Sequence, residues 1–351
     1  MEERGEAAEE RCGAGWPGTT LSPRFSLTPA AVAARARGPA AGPLAALAAL
    51  PSPTYSDTQG LIGLQEQLLA MAVGRGCARA ARLAGRSLGA LLFGGAGRGG
   101  PPRRWRSPLV LTLPEALWGW PWELAWPPGP GGPSPLCARG PLLRRPAPAG
   151  QPASLAPWRA APTLGTAGLG RLVVASAGLS AAGEAAFQRP LGALRGAWAR
   201  AGGQVAVVPG ADAAALDRAL GEGADWLILH AHGDLDRLLL ARPVGWPALR
   251  GLLAGRLRRG LALTACHGLG APGAVAAGPS LGLLADGLPE LIGWTGAPTV
   301  EAATRLLGAV APHLADRAPV GRAAAIGALR RAAGRGWPRP WDGVQHAVRG
   351  D

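Results

Sequence analysis

Lysine and asparagine are absent from this 351-residue chain, and tyrosine (1), methionine (2), phenylalanine (3) and cysteine (4) are scarce. Ala, Gly, Pro and Arg take their place, the coding pattern of a strongly GC-rich genome. The formal charge of +14 is then partly a coding bias. Its arginines are also scattered as the pairs Arg103-Arg104, Arg144-Arg145, Arg258-Arg259 and Arg330-Arg331, with no basic tract interleaved with aromatics. A solvated surface is expected for most of them, with weak attraction to acidic partners and no specific nucleic-acid recognition. Cys12, Cys77, Cys137 and Cys266 have no paired spacing, and 48% hydrophobic content allows a sizeable core without disulfide staples. Reduced thiols suit a cytoplasmic protein. Residues 1–10 are acidic and lack the apolar centre of a signal peptide. The longest Ala/Leu stretch, residues 44–50, stops at Pro51 and is too short for a membrane span.

Three regions separate along the chain. Residues 1–55 read as a low-complexity leader, in which 25–28 could add an edge strand. Residues 56–163 form a helical and strand half: Leu61, Leu64, Leu68 and Met71 recur at helical spacing, Leu83, Leu88 and Leu92 continue a second helix, and residues 109–113 read as a strand. The cluster Trp118, Trp120, Trp122 and Trp126 is expected to pack rather than to bind sugar, and the Pro/Gly-dense stretch 129–162 reads as a linker or long loop. Residues 164–351 alternate strand and helix. Strands are expected at 172–176, 205–208, 226–229, 261–265 and 291–294. Phe187, Leu191, Leu194 and Trp198 mark one helical face, Asp212 caps a short helix over 213–220, and later helices run over about 300–314 and 320–333. Such alternation predicts an α/β fold with a mostly parallel sheet flanked by helices.

Two short motifs follow two of the apolar strands. Trp226-Leu227-Ile228-Leu229 leads into His230-Ala231-His232-Gly233, and Leu261-Ala262-Leu263-Thr264-Ala265 leads into Cys266-His267-Gly268. Apolar runs of this length fit strands buried on both faces. Leu249, Leu252, Leu253 and Leu257 predict a crossover helix over 247–259 between them. A strand, helix, parallel strand unit brings both carboxyl ends to one edge of the sheet, where open α/β folds bind ligands. His232 and Cys266 then face one crevice. An imidazole that takes or stabilises the thiol proton makes a competent nucleophile. The amides of Gly233 and Cys266 are the natural oxyanion donors, and Gly268 is expected to let backbone approach a substrate.

Each residue also has a plainer reading. A cysteine at a strand end is usually a small buried hydrophobe, and a histidine is often a hydrogen-bonded structural residue. His230, His232, Cys266 and His267 could together hold zinc, although His-x-His with Cys-His matches no common zinc spacing. Asp234 and Asp236 could orient the imidazole or shape a substrate pocket, or simply be solvated. His313 and His346 receive no role.

The order His-Gly then Cys-His-Gly, each at a strand end, resembles the caspase-like cysteine peptidases and, more closely, their bacterial CHAT-domain branch. The stretch PEALWGWPWELAW at 114–126 is similar to an amino-terminal element of that family, LIGWTGAPTVEAA at 291–303 to the segment after the cysteine strand, and PVGRAAA at 319–325 to its late helix. The resemblance covers roughly residues 61–348. It implies a caspase-like catalytic half with an amino-terminal pseudo-protease half, His232 as base, Cys266 as nucleophile, His230 as a loop support and no cofactor or metal. Thr264 stands where the similar metacaspases carry an acidic residue for a basic side chain, so a neutral or apolar side chain is expected in that pocket. The helical-repeat sensor often fused to this family has no counterpart among internal repeats. The resulting expectation is a cysteine endopeptidase that cleaves a specific protein partner, a pore-forming or other effector encoded nearby, in bacterial defence or cell death, with sensing left to the leader, the amino-terminal half or a separate subunit. The alternative is a catalytically silent caspase-like scaffold.

Overall fold

The computed structural model describes residues 85–86, 88–89, 104–113, 115–118, 122–126, 135–148, 154–158, 168–234, 236–265, 268, 279–294, 298, 300–316, 318–332 and 344–349. The leader 1–55, and the first of the two helices expected after it, lie outside them.

Nine strands form one sheet. In chain order they are β1 (Leu109–Leu113), β2 (Leu142–Pro146), β3 (Ser154–Pro157), β4 (Arg171–Ser176), β5 (Gln204–Val208) and β6 (Ala224–His230). A small separate sheet follows, made of β7 (His232–Gly233), β8 (Arg237–Leu239) and β9 (Pro243–Gly245). The main sheet is completed by β10 (Leu257–Thr264), β11 (Glu290–Trp294) and β12 (Val344–Val348). Its order is β3-β1-β2-β12-β11-β10-β6-β4-β5. The run from β11 to β5 is parallel throughout, while β12 is antiparallel to β11 and β3 to β1. The expected α/β class, a mostly parallel sheet flanked by helices, is what the chain adopts. Because β12 also pairs with β2 through Ala347 and Arg144, segments 56–163 and 164–351 share this sheet.

Strands buried on both faces explain the unbroken apolar runs. On β6, Trp226 and Ile228 face a layer built by α3 (Ala181–Arg200), α7 (Val300–Val310) and α8 (Val320–Ala332). Leu227 and Leu229 face the opposite layer, with α4 (Ala213–Leu220), α5 (Trp246–Leu253) and α6 (Pro279–Ala285). Two short helices, α1 (Glu115–Trp118) and α2 (Leu136–Arg139), and the 3-10 turn Trp122–Leu124 pack on that second layer. Phe187, Leu191, Leu194 and Trp198 are the buried residues of α3. Asp212 caps α4 by accepting from the Ala215 amide at 2.7 Å.

The crevice follows from connectivity. The chain leaves β4 through α3 to β5 on one side, whereas it leaves β6 through α5 to β10 on the other. Neighbouring strands whose connections diverge leave a gap at their carboxyl ends. The switch point of the connections falls between β4 and β6, whose last register partners are Ser176 and His230.

Two expectations are corrected. The crossover helix stops at Leu253 rather than 259, because Gly255 at φ 69° turns the chain and Leu257 already belongs to β10. The stretch 129–162 is no plain linker: it holds α2, β2 and β3, with prolines at strand ends and on the edge strand, where a missing N–H costs no ladder bond. Several arginines are buried, among them Arg144, Arg322 and Arg330. Arg144 forms a double ion pair with Glu123 and donates to the Trp118 carbonyl at 2.6 Å. Trp118 itself donates to Ser280 Oγ at 2.9 Å, across 162 positions. Trp118 and Trp122 therefore join the core, and Trp120 lies outside the described residues. No helix among the described residues is long and apolar enough to cross a membrane.

Candidate functional site

Ser176, His230 and Thr264 stand side by side as the last residues of β4, β6 and β10. All three are buried. They share the sheet face of Val174, Ile228 and Ala262, which packs on α3. The ladder continues just past them: Ala177 donates to the His230 carbonyl at 2.9 Å, and Ala231 to the Thr264 carbonyl at 3.3 Å. Three loops thus leave one edge of the sheet at one level.

His230 is fixed on two sides. Its ring stacks on Phe187 of α3, with centroids 4.9 Å apart and planes 19° from parallel. Its Nδ1 lies 2.6 Å from Thr264 Oγ1, which is also 3.3 Å from the Leu229 carbonyl. Thr264 has one hydroxyl proton, and the tautomer of His230 decides whether it serves Nδ1 or the Leu229 carbonyl. Burial, reinforced by His232, lowers the His230 pKa to about 4 against the opposing pull of Glu184. The ring is neutral at physiological pH. Ser176 Oγ, the third side chain of the row, is buried without a hydrogen-bond partner.

His232 has a different setting. It starts the small sheet, opposite Leu239 of β8, and its residue is exposed. The loop after β4 lies against it: a Cβ built on Gly178, which sits at φ 68°, would be 3.5 Å from His232 Cδ2 and 3.4 Å from the Leu239 carbonyl. The His232 ring therefore lies against the loop that follows β4. The three-stranded hairpin sheet that carries it was not legible in the alternation of apolar residues, since Leu238 and Val244 are the only buried side chains of β8 and β9.

Gly233 pairs with Leu238, and Asp234 closes the hairpin. The Asp234 carboxylate accepts from the Asp236 and Arg237 amides at 2.9 Å each and from Arg237 Nε at 3.0 Å. These donors hold its pKa below the usual carboxylate value. Its oxygens are committed to the turn, and Thr264 is committed to His230. Cys266 and His267 lie outside the described residues. On either side, Ala265 is buried at the end of β10 and the Gly268 amide donates to the Ala265 carbonyl at 3.3 Å. A Cβ on Gly268 would come within 2.9 Å of Leu263 Cδ2, so close packing accounts for this glycine without any substrate. No group of three or more metal-ligating side chains occurs among the described residues.

A second buried polar cluster lies at the opposite end of β11. Glu290 accepts from Arg322 Nε at 2.6 Å and Nη2 at 2.7 Å, and from His346 Nε2 at 2.6 Å. Burial opposes the Glu290 charge, but the His346 and Arg322 donors outweigh it and hold the carboxyl below its ordinary value. Burial also lowers the His346 pKa, and His346 Nδ1 has no partner, as suits a neutral ring protonated on Nε2. Sequence reading passed over these residues because they meet only through the sheet.

Two histidines neutral in the fold and charged when unfolded predict acid lability. A depressed histidine pKa means that the unfolded chain binds more protons, so its stabilising contribution is complete above pH 6.5 and is lost as pH falls below that. For His230 the loss levels off near pH 4 and amounts to roughly 3 kcal/mol. Urea unfolding between pH 7 and 4 should show this slope, and His230→Phe should flatten it.

No protein-family model matches the chain, and no curated protein matches it.

Proposed function

We propose that the protein is a cysteine endopeptidase in which Cys266 attacks the scissile carbonyl and His232 handles the protons. One observation carries this reading. β6 and β10 are adjacent, parallel and in register at His230 and Thr264, and His232 and Cys266 each follow their strand's last residue by two positions. His232 leaves this edge of the sheet just after β6, and Cys266 follows the neighbouring strand β10 in the sequence.

The chemistry needs few parts. With the Cys266 proton held by His232, sulfur bonds to the carbonyl carbon, and the oxyanion is held by the Gly233 and Cys266 amides. Collapse breaks the carbon–nitrogen bond, and His232 returns the proton to the departing amine. Water, deprotonated by His232, then attacks the thioester and releases Cys266 as the thiol. The absence of an acid at Thr264 favours a neutral or apolar side chain before the cut. We further propose a protein substrate encoded near this gene, an effector in bacterial defence or cell death, and a separate sensor subunit.

The test compares wild-type protein with Cys266→Ala on the products of adjacent genes, mapping new amino termini by mass spectrometry. Cleavage by wild type and none by the variant is expected. Equal cleavage by both removes Cys266 as nucleophile, and cleavage by neither favours the silent scaffold.

A further inference from the structure

We infer that His230 is a positioning residue: its hydrogen bond to Thr264 ties the end of the strand that leads into His232 to the end of the strand that leads into Cys266. The inference rests on the dyad reading above and adds to it a device that holds the two partners in reach.

The geometry supports a tie rather than a second base. His230 and Thr264 are the terminal residues of their strands and face each other in the register. Beyond them the described backbone keeps one further link between these two chain ends, the 3.3 Å bond from Ala231 to the Thr264 carbonyl. The side-chain bond is shorter, at 2.6 Å, and buried. Phe187 stacks on the ring and fixes its plane. Thr264 Oγ1 lies in turn 3.3 Å from the Leu229 carbonyl. Burial keeps the ring uncharged down to about pH 4. A base must exchange protons near working pH. His230 does the reverse.

Such a tie matters because dyad chemistry is steep in distance: a displacement of about 1 Å costs on the order of a hundredfold. Both catalytic groups sit two residues beyond the tied pair, so slippage at 230 and 264 is passed on directly to them.

The test reads Cys266 without needing a substrate. Full-length protein is alkylated with iodoacetamide across pH 5 to 9, and the rate at Cys266 is followed by peptide mapping, well below the melting temperature of each variant. His230→Phe keeps the stack but removes the ring nitrogen, Thr264→Val removes the hydroxyl, and Thr264→Ser keeps it. His230→Phe and Thr264→Val are each expected to slow Cys266 by roughly tenfold or more and to move its pH profile toward that of an ordinary thiol. The double variant should be no slower than either single one, since both break one bond. Thr264→Ser should react like wild type. If His230→Phe does not fold, the Thr264→Val and Thr264→Ser pair decides alone.

A wild-type rate and profile in folded His230→Phe or Thr264→Val, whatever the melting temperature does, overturns the inference. His232→Ala separates it from the dyad reading. If His232→Ala slows Cys266 while His230→Phe does not, only the positioning role falls. If His232→Ala leaves Cys266 unchanged, both fall, because no His232-dependent reactivity exists for His230 to position.

Discussion

Replacing His232 by alanine should lower the rate of substrate cleavage by about a hundredfold to ten-thousandfold, the usual worth of a positioned acid–base group. The fold should survive, because the side chain is exposed and the backbone of β7 needs only its pairing with β8. His230 cannot take over. Its ring is buried, its Nδ1 serves Thr264, and its pKa lies near 4. Single-turnover cleavage of an adjacent-gene product, with circular dichroism to verify folding, measures the loss. A drop of less than about tenfold would remove His232 from the proton-transfer role.

Arg322→Ala should be the most damaging change to stability. The guanidinium makes two bonds to Glu290, reaches the His313 and Asp316 carbonyls at 2.5 and 2.8 Å, and lies 5.2 Å from the centroid of the Trp226 ring. Its removal leaves Glu290 as a buried carboxylate whose only remaining side-chain partner among the described residues is His346. Breaking one side of a buried pair costs about 3–5 kcal/mol, which for a chain of this size lowers the melting temperature by on the order of 10 °C. Glu290→Gln together with Arg322→Met should recover much of that loss, because neither charge is then stranded. Calorimetry on the three proteins checks both statements. The consequence reaches beyond one contact: Glu290, Arg322 and His346 belong to β11, α8 and β12, and β12 is the strand through which the two segments of the sheet meet.

Local pattern carried much of this fold. Residues 109–113 and 213–220 read from sequence as the same spans that form β1 and α4, and the four apolar residues of α3 lie where helical spacing puts them. Misreadings arose where local pattern and tertiary context diverge. Leu257 continues the helical spacing of Leu249 and Leu253, yet Gly255 turns the chain and hands it to β10. Proline density at 129–162 suggested a loop, because nothing local says that a strand will lie at a sheet edge. The charge on Arg144 suggested solvent, whereas Glu123 lies 21 positions away and becomes a neighbour only in the fold. The site divides in the same way. The two strands that precede His232 and Cys266 were legible from their apolar runs. The separate settings of His230 and His232 were not, since they depend on Phe187 and Thr264 on one side and on the hairpin on the other.

The pairing of His232 with Cys266 is tested most directly by competition among the four cysteines for limiting iodoacetamide at neutral pH, followed by peptide mapping of wild-type protein and His232→Ala. Cys266 should be labelled at least about tenfold faster than Cys12, Cys77 or Cys137, as expected of an activated thiol, and His232→Ala should erase that preference. Equal labelling of Cys266 in the two proteins would contradict the dyad.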